Sequence, residues 1–155
     1  MMNLTNKNIV KLTLFLLIIL TLAFIFIQSM LPPEKSAEQS GAVGEIIEEI
    51  IPPETPVGGY VQTNLRKIAH FVEFAVLGIW VTLLVVLFYR RKPFIFSSFV
   101  FAILMGLFDE TIQIKSGRGA SVSDVWLDFF GFASSAVIIY TVSALTIFIK
   151  AKRKQ

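Results

Sequence analysis

Four long stretches of the chain, 12–33, 74–89, 93–108 and 129–149, carry no charged residue, and the apolar pattern of the second extends back through Ile68. About 20 apolar residues span a ~30 Å hydrocarbon core as a helix, because no water is present there to satisfy an extended backbone. The pattern therefore predicts helices at roughly 9–31, 67–89, 93–114 and 122–149. Residues 32–66 are left as one long connection, punctuated by Pro32, Pro33, Pro52, Pro53, Pro56, Gly58 and Gly59. Within it, 43–51 reads V-G-E-I-I-E-E-I-I. Its near-helical apolar spacing fits a short amphipathic helix on the membrane surface, and its charge equally fits a flexible acidic linker. The first apolar stretch follows Lys7 and Lys11 as a signal peptide would. Its run exceeds the ~7–15 residues of a signal core and no small-x-small site follows directly, so an uncleaved anchor is expected. No internal repeat is visible, which argues against a transporter built from inverted halves.

Composition excludes the water-soluble alternative. Hydrophobic residues make up 55% of the 155 residues and charged residues 16%, with a mean hydropathy of +0.73. Soluble domains lie near ~45–50% apolar and ~25% charged. The expected class is an all-α integral membrane protein, a four-transmembrane-helix bundle forming a single domain. With no cysteine, disulfides, thiol nucleophiles and cysteine-ligated zinc are excluded. With one histidine, His70, so is any site needing two imidazoles.

The net charge of +3 matters less than its placement. If the N-terminus lies inside, then Lys7, Lys11, Arg90, Arg91, Lys92, Lys150, Lys152, Arg153 and Lys154 all face the cytoplasm without an acidic neighbour. Lys35, Arg66, Lys67, Lys115, Arg118 and all 11 carboxylates then fall outside. The positive-inside bias predicts both termini in the cytoplasm and 32–66 as an extracytoplasmic loop.

Ionisable residues inside apolar segments cost ~2.5–3.5 kcal/mol each at mid-membrane, so their positions are informative. His70 and Glu73 fall in the first turns of the second segment, and Asp109, Glu110 and Gln113 in the last turns of the third. Asp124 and Asp128 fall in the first turns of the fourth. Three helices thus bring polar turns to one depth in one leaflet. Arg66, His70 and Glu73 follow an i, i+4, i+7 path and share a helix face; Asp109 with Gln113, and Asp124 with Asp128, are i, i+4 pairs. Gly131 and Ser135 continue the last stripe, and small residues there let helices approach. At ~1.5 Å rise per residue, Glu73 and Asp128 lie roughly 8–10 Å below the surface. Carboxylates there must be protonated, paired with Arg or Lys, or bound to a cation. Duller readings exist for single members. Arg66, Lys67 and Lys115 fit snorkelling, Glu110 fits a water-facing position, Ser121-x-x-Asp124 fits a capping box, and His70 alone fits a packing histidine. Taken together the cluster is one-sided, which those readings do not explain.

The loop Lys115-Ser116-Gly117-Arg118-Gly119-Ala120-Ser121 would close the cluster from above. Its glycines permit unusual backbone angles, and it runs into a helix N-terminus that favours anions. Arg118 offers a planar fork for phosphate or carboxylate.

The run Asn64-Leu-Arg-Lys-Ile-Ala-His70-Phe-Val-Glu-Phe-Ala-Val-Leu77-Gly78 resembles the Lys-x-x-His-Phe-x-x-Tyr-x-x-Leu-Gly signature of the VanZ-like membrane protein family, with Phe74 in place of the tyrosine. Asp109-Glu110-x-x-Gln113, Gly117-Arg118 and Asp124-x-x-x-Asp128-x-x-Gly131 are similar to the family's second signature. Asp128 stands where asparagine is common, and Ser135 where a second glycine often follows. Gln28-Ser29 to Ser36-x-x-x-Ser40-Gly41 resembles its region after the first helix. The resemblance implies a bacterial plasma-membrane protein of a family named after a factor giving low-level resistance to teicoplanin, a lipid-tailed glycopeptide. It implies no reaction.

Three functions fit these residues. The first is a non-enzymatic module binding an outer-leaflet amphiphile, either a lipoglycopeptide or a lipid-linked cell-wall precursor. In it Arg118 and Arg66 hold an anionic head group, His70 orients a carboxylate, and Glu73, Asp109, Asp124 and Asp128 hold amines, hydroxyls or a cation. The second is an intramembrane enzyme acting on a phosphate- or sugar-bearing lipid, with Glu73, Asp109 and Asp124 holding Mg2+ or Mn2+. The third is a small structural subunit whose buried charges pair with another protein's helices. The first reading expects no cofactor, a membrane lipid or antibiotic as partner, and no nucleic acid.

Overall fold

The computed structural model describes residues 3–89, 92–119 and 121–153. Arg90, Arg91 and Lys154 of the orientation argument, and Ala120 of the loop, lie outside the described residues. Five helices follow one another: α1 (Leu4–Ser29), α2 (Pro33–Glu48), α3 (Pro56–Phe88), α4 (Lys92–Lys115) and α5 (Val122–Lys152). There is no strand among the described residues. All but α2 are long and apolar enough to cross a membrane, and the chain is an all-α, multi-pass membrane protein.

The segment 32–66 is not a single loop. Helix α2 occupies its first half, and α3 begins at residue 56 instead of 67. The reason lies in its prolines, which start helices here instead of breaking them. A proline at the first helical position loses only an N–H that would have had no intrahelical acceptor. Pro33 and Pro56 both sit at the helix start. Thr55 caps α3, its Oγ accepting the Gly58 N–H at 3.0 Å while donating to Pro52 O at 2.8 Å. The expected helix over 43–51 is the tail of α2, which ends at Glu48; Ile50 and Ile51 close it by turning their N–H groups back to Ile47 O. Thr55→Ala removes the cap and should cost about 1 kcal/mol, seen as faster amide exchange over 56–62 with the rest of α3 unchanged.

At ~1.5 Å per residue α3 is roughly 50 Å long, more than a hydrocarbon core requires. Its first turns therefore stand proud of the apolar bundle, and α2 lies against them. Gln62 Nε2 donates to Gly44 O at 3.0 Å, and a side chain at Gly44 would meet Leu65 at 3.3 Å.

The core forms where α3 meets α5, with α1 and α4 closing either side. Phe74, Leu77, Phe132, Ala136, Ala102 and Ile25 are fully buried there. Phe99 on α4 packs against Phe129, Phe132 and Tyr140 of α5, with ring centroids 6.2–6.4 Å apart. Large apolar side chains elsewhere on α1 and α5, such as Leu16, Ile19, Ile138 and Phe148, face outward, as a lipid environment allows.

Alternation of helix direction sorts charge by bundle end. Lys11 on α1 lies 4.9 Å from the ring of Tyr89 after α3, so the start of α1 and the end of α3 share one end. The opposite end gathers Ser29, Ser116, Asp109 and His70.

Candidate functional site

The site begins where α1 stops. Its last residue, Ser29, is fully buried and donates its hydroxyl to Asp109 Oδ1 of α4. The backbone carbonyl of Ser29 accepts from Ser116 Oγ at 2.8 Å. Helix C-termini leave four carbonyls without intrahelical donors, and here the chain after α4 supplies two donors. Gly117, at φ +80°, adopts the left-handed conformation that ends α4 and turns the chain back. Arg118 N then bonds Gln113 O at 2.9 Å, and Arg118 Nη1 donates to Gln28 O at 3.0 Å. Positive φ is confined to Gly117 among the described glycines; Gly119 does not use that freedom.

Arg118 is therefore buried, 6% exposed, with half its fork committed to α1 and its Nε without a partner. Burial first, and the Arg66 charge second, draw its guanidinium below its ordinary pKa, while Asp109, Glu110 and Glu73 hold it up. It remains a cation, and one short of close anionic company.

Gln113 is the centre of the network. Its Oε1 accepts from Arg66 Nη2 at 2.6 Å, and its Nε2 donates to Asp109 Oδ2 at 2.6 Å and to Glu110 Oε1 at 3.2 Å. Arg66 thus does more than snorkel: it reaches Asp109 through the amide. Glu110 is buried, not water-facing, and its Oε2 accepts the Ser121 N–H at 2.9 Å. That bond corrects the expected capping box. Ser121 Oγ caps α5 at Ser123 N, 3.2 Å, but the carboxylate facing the Ser121 N–H comes from α4 instead of Asp124. Asp124, half-buried, accepts from Ser123 Oγ at 3.4 Å.

Deeper in, His70 Nδ1 faces two carboxylates, Asp109 Oδ2 at 3.5 Å and Asp128 Oδ1 at 3.8 Å. Asp128 is 1% exposed, and neither of its oxygens has a hydrogen-bond partner among the described residues. The atoms of His70, Asp109 and Asp128 converge within 4.8 Å. The expected cation set of Glu73, Asp109 and Asp124 shares only Asp109 with this group; Glu73 faces another cavity.

Two cavities flank His70 and Arg66. One, of about 120 Å3, lies between α1, α2 and α3; Glu73, Arg118, Gln28 and the α2 stripe Ser36, Gln39, Ser40 complete its polar wall. The other, of about 250 Å3, lies on the α5 side and is bounded by Lys67, Glu110, Gln113 and Asp124. Glu73 Oε2 is buried without a partner. The same residue also lines an apolar groove of about 380 Å3 further along α1 and α3, with Leu17, Leu20, Phe24, Val72 and Val76.

Ser29, Ser116 and the α2 stripe were missed as site residues by residue-level reasoning. Their signal was the i, i+4 spacing of Ser36 and Ser40 and the polar pair Gln28-Ser29 ending an apolar helix.

No curated protein and no solved structure matches the chain. The sequence profile of the VanZ/LLP1 family matches residues 14–146, and with that span covered the chain belongs to the VanZ/LLP1 family.

Proposed function

We propose that this VanZ-like protein binds an amphiphile in the outer leaflet of the bacterial plasma membrane, with both its termini in the cytoplasm. The observation that carries this reading is the double exposure of Glu73. Its side chain lines a polar cavity on one side and an apolar groove on the other, the arrangement a molecule with a polar head and a hydrocarbon tail requires. Arg66 and Arg118 border the polar cavity and suit a phosphate or carboxylate. The unpartnered Glu73 oxygen suits an amine or hydroxyl. A lipid-linked cell-wall precursor and a lipoglycopeptide such as teicoplanin both have this chemistry, and binding either would contribute to glycopeptide resistance or envelope homeostasis. The orientation rests on the basic residues gathered at the opposite end of the bundle, Lys7, Lys11, Lys92, Lys150, Lys152 and Arg153.

The test uses purified protein in nanodiscs, titrated with teicoplanin and separately with a prenyl-pyrophosphate cell-wall precursor. At least one should bind saturably. Arg66→Ala in the cavity and Val76→Trp in the groove should each weaken binding about tenfold, ~1.4 kcal/mol. No saturable binding of either ligand, or affinity unchanged in both variants, defeats the reading.

A further inference from the structure

The arrangement of His70, Asp109 and Asp128 is incomplete as a purely protein structure. Two carboxylates, one fully buried and the other 1% exposed, face one imidazole nitrogen. Among the described residues no guanidinium or ammonium pairs with either: Arg66 reaches Gln113 and Arg118 reaches Gln28 O. A proton on Asp128 would remove one charge but leave a buried hydroxyl, since neither oxygen has a partner. The nitrogen–oxygen separations, 3.5 and 3.8 Å, are too long for good hydrogen bonds. The first falls within the ~3.3–3.6 Å that separates ligand atoms around a four-coordinate ion with ~2.0–2.2 Å bonds; the second, and the carboxylate–carboxylate separation of at most 4.8 Å, would close by small side-chain rotations around an ion.

We propose that His70, Asp109 and Asp128 form a binding site for a divalent transition-metal ion, Zn2+ by preference, set within the membrane between α3, α4 and α5. The imidazole nitrogen favours such an ion over Mg2+, which takes oxygen ligands and retains its waters. One neutral imidazole and two carboxylates cancel its charge. Asp109 is already oriented as a metal ligand is: Ser29 donates to its Oδ1, and Gln113 donates to its Oδ2 at 2.6 Å while being itself held by Arg66. Asp128 contributes the buried oxygens that nothing else among the described residues satisfies. Three protein ligands leave the fourth position to water or to an oxygen of a bound molecule. The site does not depend on amphiphile binding.

The test is a titration of full-length protein in detergent, stripped with a chelator and then given ZnCl2 against a chromophoric competitor. One ion per chain should bind. Asp128→Asn and His70→Gln should each weaken binding at least tenfold, and Glu45→Gln, on the exposed face of α2, should leave it unchanged. As a measurement that needs no variant, CoCl2 should give the visible bands of four-coordinate Co2+, displaced by Zn2+. No stoichiometric ion, no Co2+ bands, or equal loss in Glu45→Gln would each overturn the proposal. A stripped protein that still binds the amphiphile would leave the functional reading standing alone.

Discussion

Gly131→Ala should destabilise the protein by about 2–3 kcal/mol, because it forces two packed helices apart. A methyl group at this position would strike the backbone of Phe71: its carbonyl oxygen directly, its carbonyl carbon at 3.1 Å and its Cα at 3.2 Å. Backbone cannot swing aside as a long side chain can, so α3 and α5 must separate. Gly78→Ala meets the same difficulty from the other helix, against Phe132 O at 2.6 Å and the Ser135 hydroxyl. Two reciprocal glycines thus bring α3 and α5 together along the seam that holds the core. The same substitution should have the opposite sign at Gly41 in α2, where nothing lies within 4 Å. There alanine should add ~0.5–1 kcal/mol through helix propensity. Gly106 is intermediate, since its nearest neighbours, Asp128 Cβ and Val125, stand at an ordinary 3.5 Å. Thermal unfolding of the four variants in one detergent should place Gly131→Ala and Gly78→Ala lowest, Gly106→Ala between and Gly41→Ala highest. A Gly131→Ala protein as stable as the parent would show that the helices are not in backbone contact.

The seam also fixes the site. Asp128 lies one turn before Gly131, and Phe71 is the neighbour of His70. Any separation of α3 from α5 therefore lengthens the His70–Asp128 approach directly. Gly131→Ala should therefore also weaken Zn2+ binding at the proposed site without touching a ligand.

These relations show how far the sequence could be read. The four spans and the clustering of polar turns at one end were legible because charge is costly in lipid, and that cost leaves a pattern in one dimension. The i, i+4 pairs placed Asp109 with Gln113 and Asp124 with Asp128 on shared faces. Which face meets which helix was not legible, because it depends on rotation set by glycine contacts such as Gly131 on Phe71. Hence Asp128, not Asp124, meets His70, and Glu73 turns toward α1. The proline-rich segment is hard to read for a different reason. Pro33 and Pro56 look alike as breakers and as first-turn residues until the cap beside them is known, and Thr55 followed by Pro56 was the available sign.

Gln113→Leu should be the most damaging single change of a side chain in the polar network, by about 2–4 kcal/mol. Leucine keeps the bulk but removes three hydrogen bonds at once, each with a charged partner. Bonds to charged groups contribute ~1.5–3 kcal/mol apiece, but they do not count equally here. Arg66 is exposed and can turn to water, so its share is small. Asp109 is fully buried and among the described residues keeps only Ser29 as a hydrogen-bond donor, so its loss dominates. Arg66→Ala should accordingly cost under about 1 kcal/mol, although it breaks the 2.6 Å bond to Gln113. Gln113→Glu should be no better than leucine despite its near-identical shape. It pairs with Arg66, but it replaces the donor that Asp109 and Glu110 share with a third carboxylate. Unfolding of the three variants in nanodiscs, followed by circular dichroism, separates these outcomes. If Arg66→Ala costs as much as Gln113→Leu, the amide is only a link to the arginine. If leucine and glutamate are both harmless, Asp109 does not depend on it. A deep loss for both, with Arg66→Ala mild, identifies Gln113 as the donor that keeps the Asp109 carboxylate in place within the membrane.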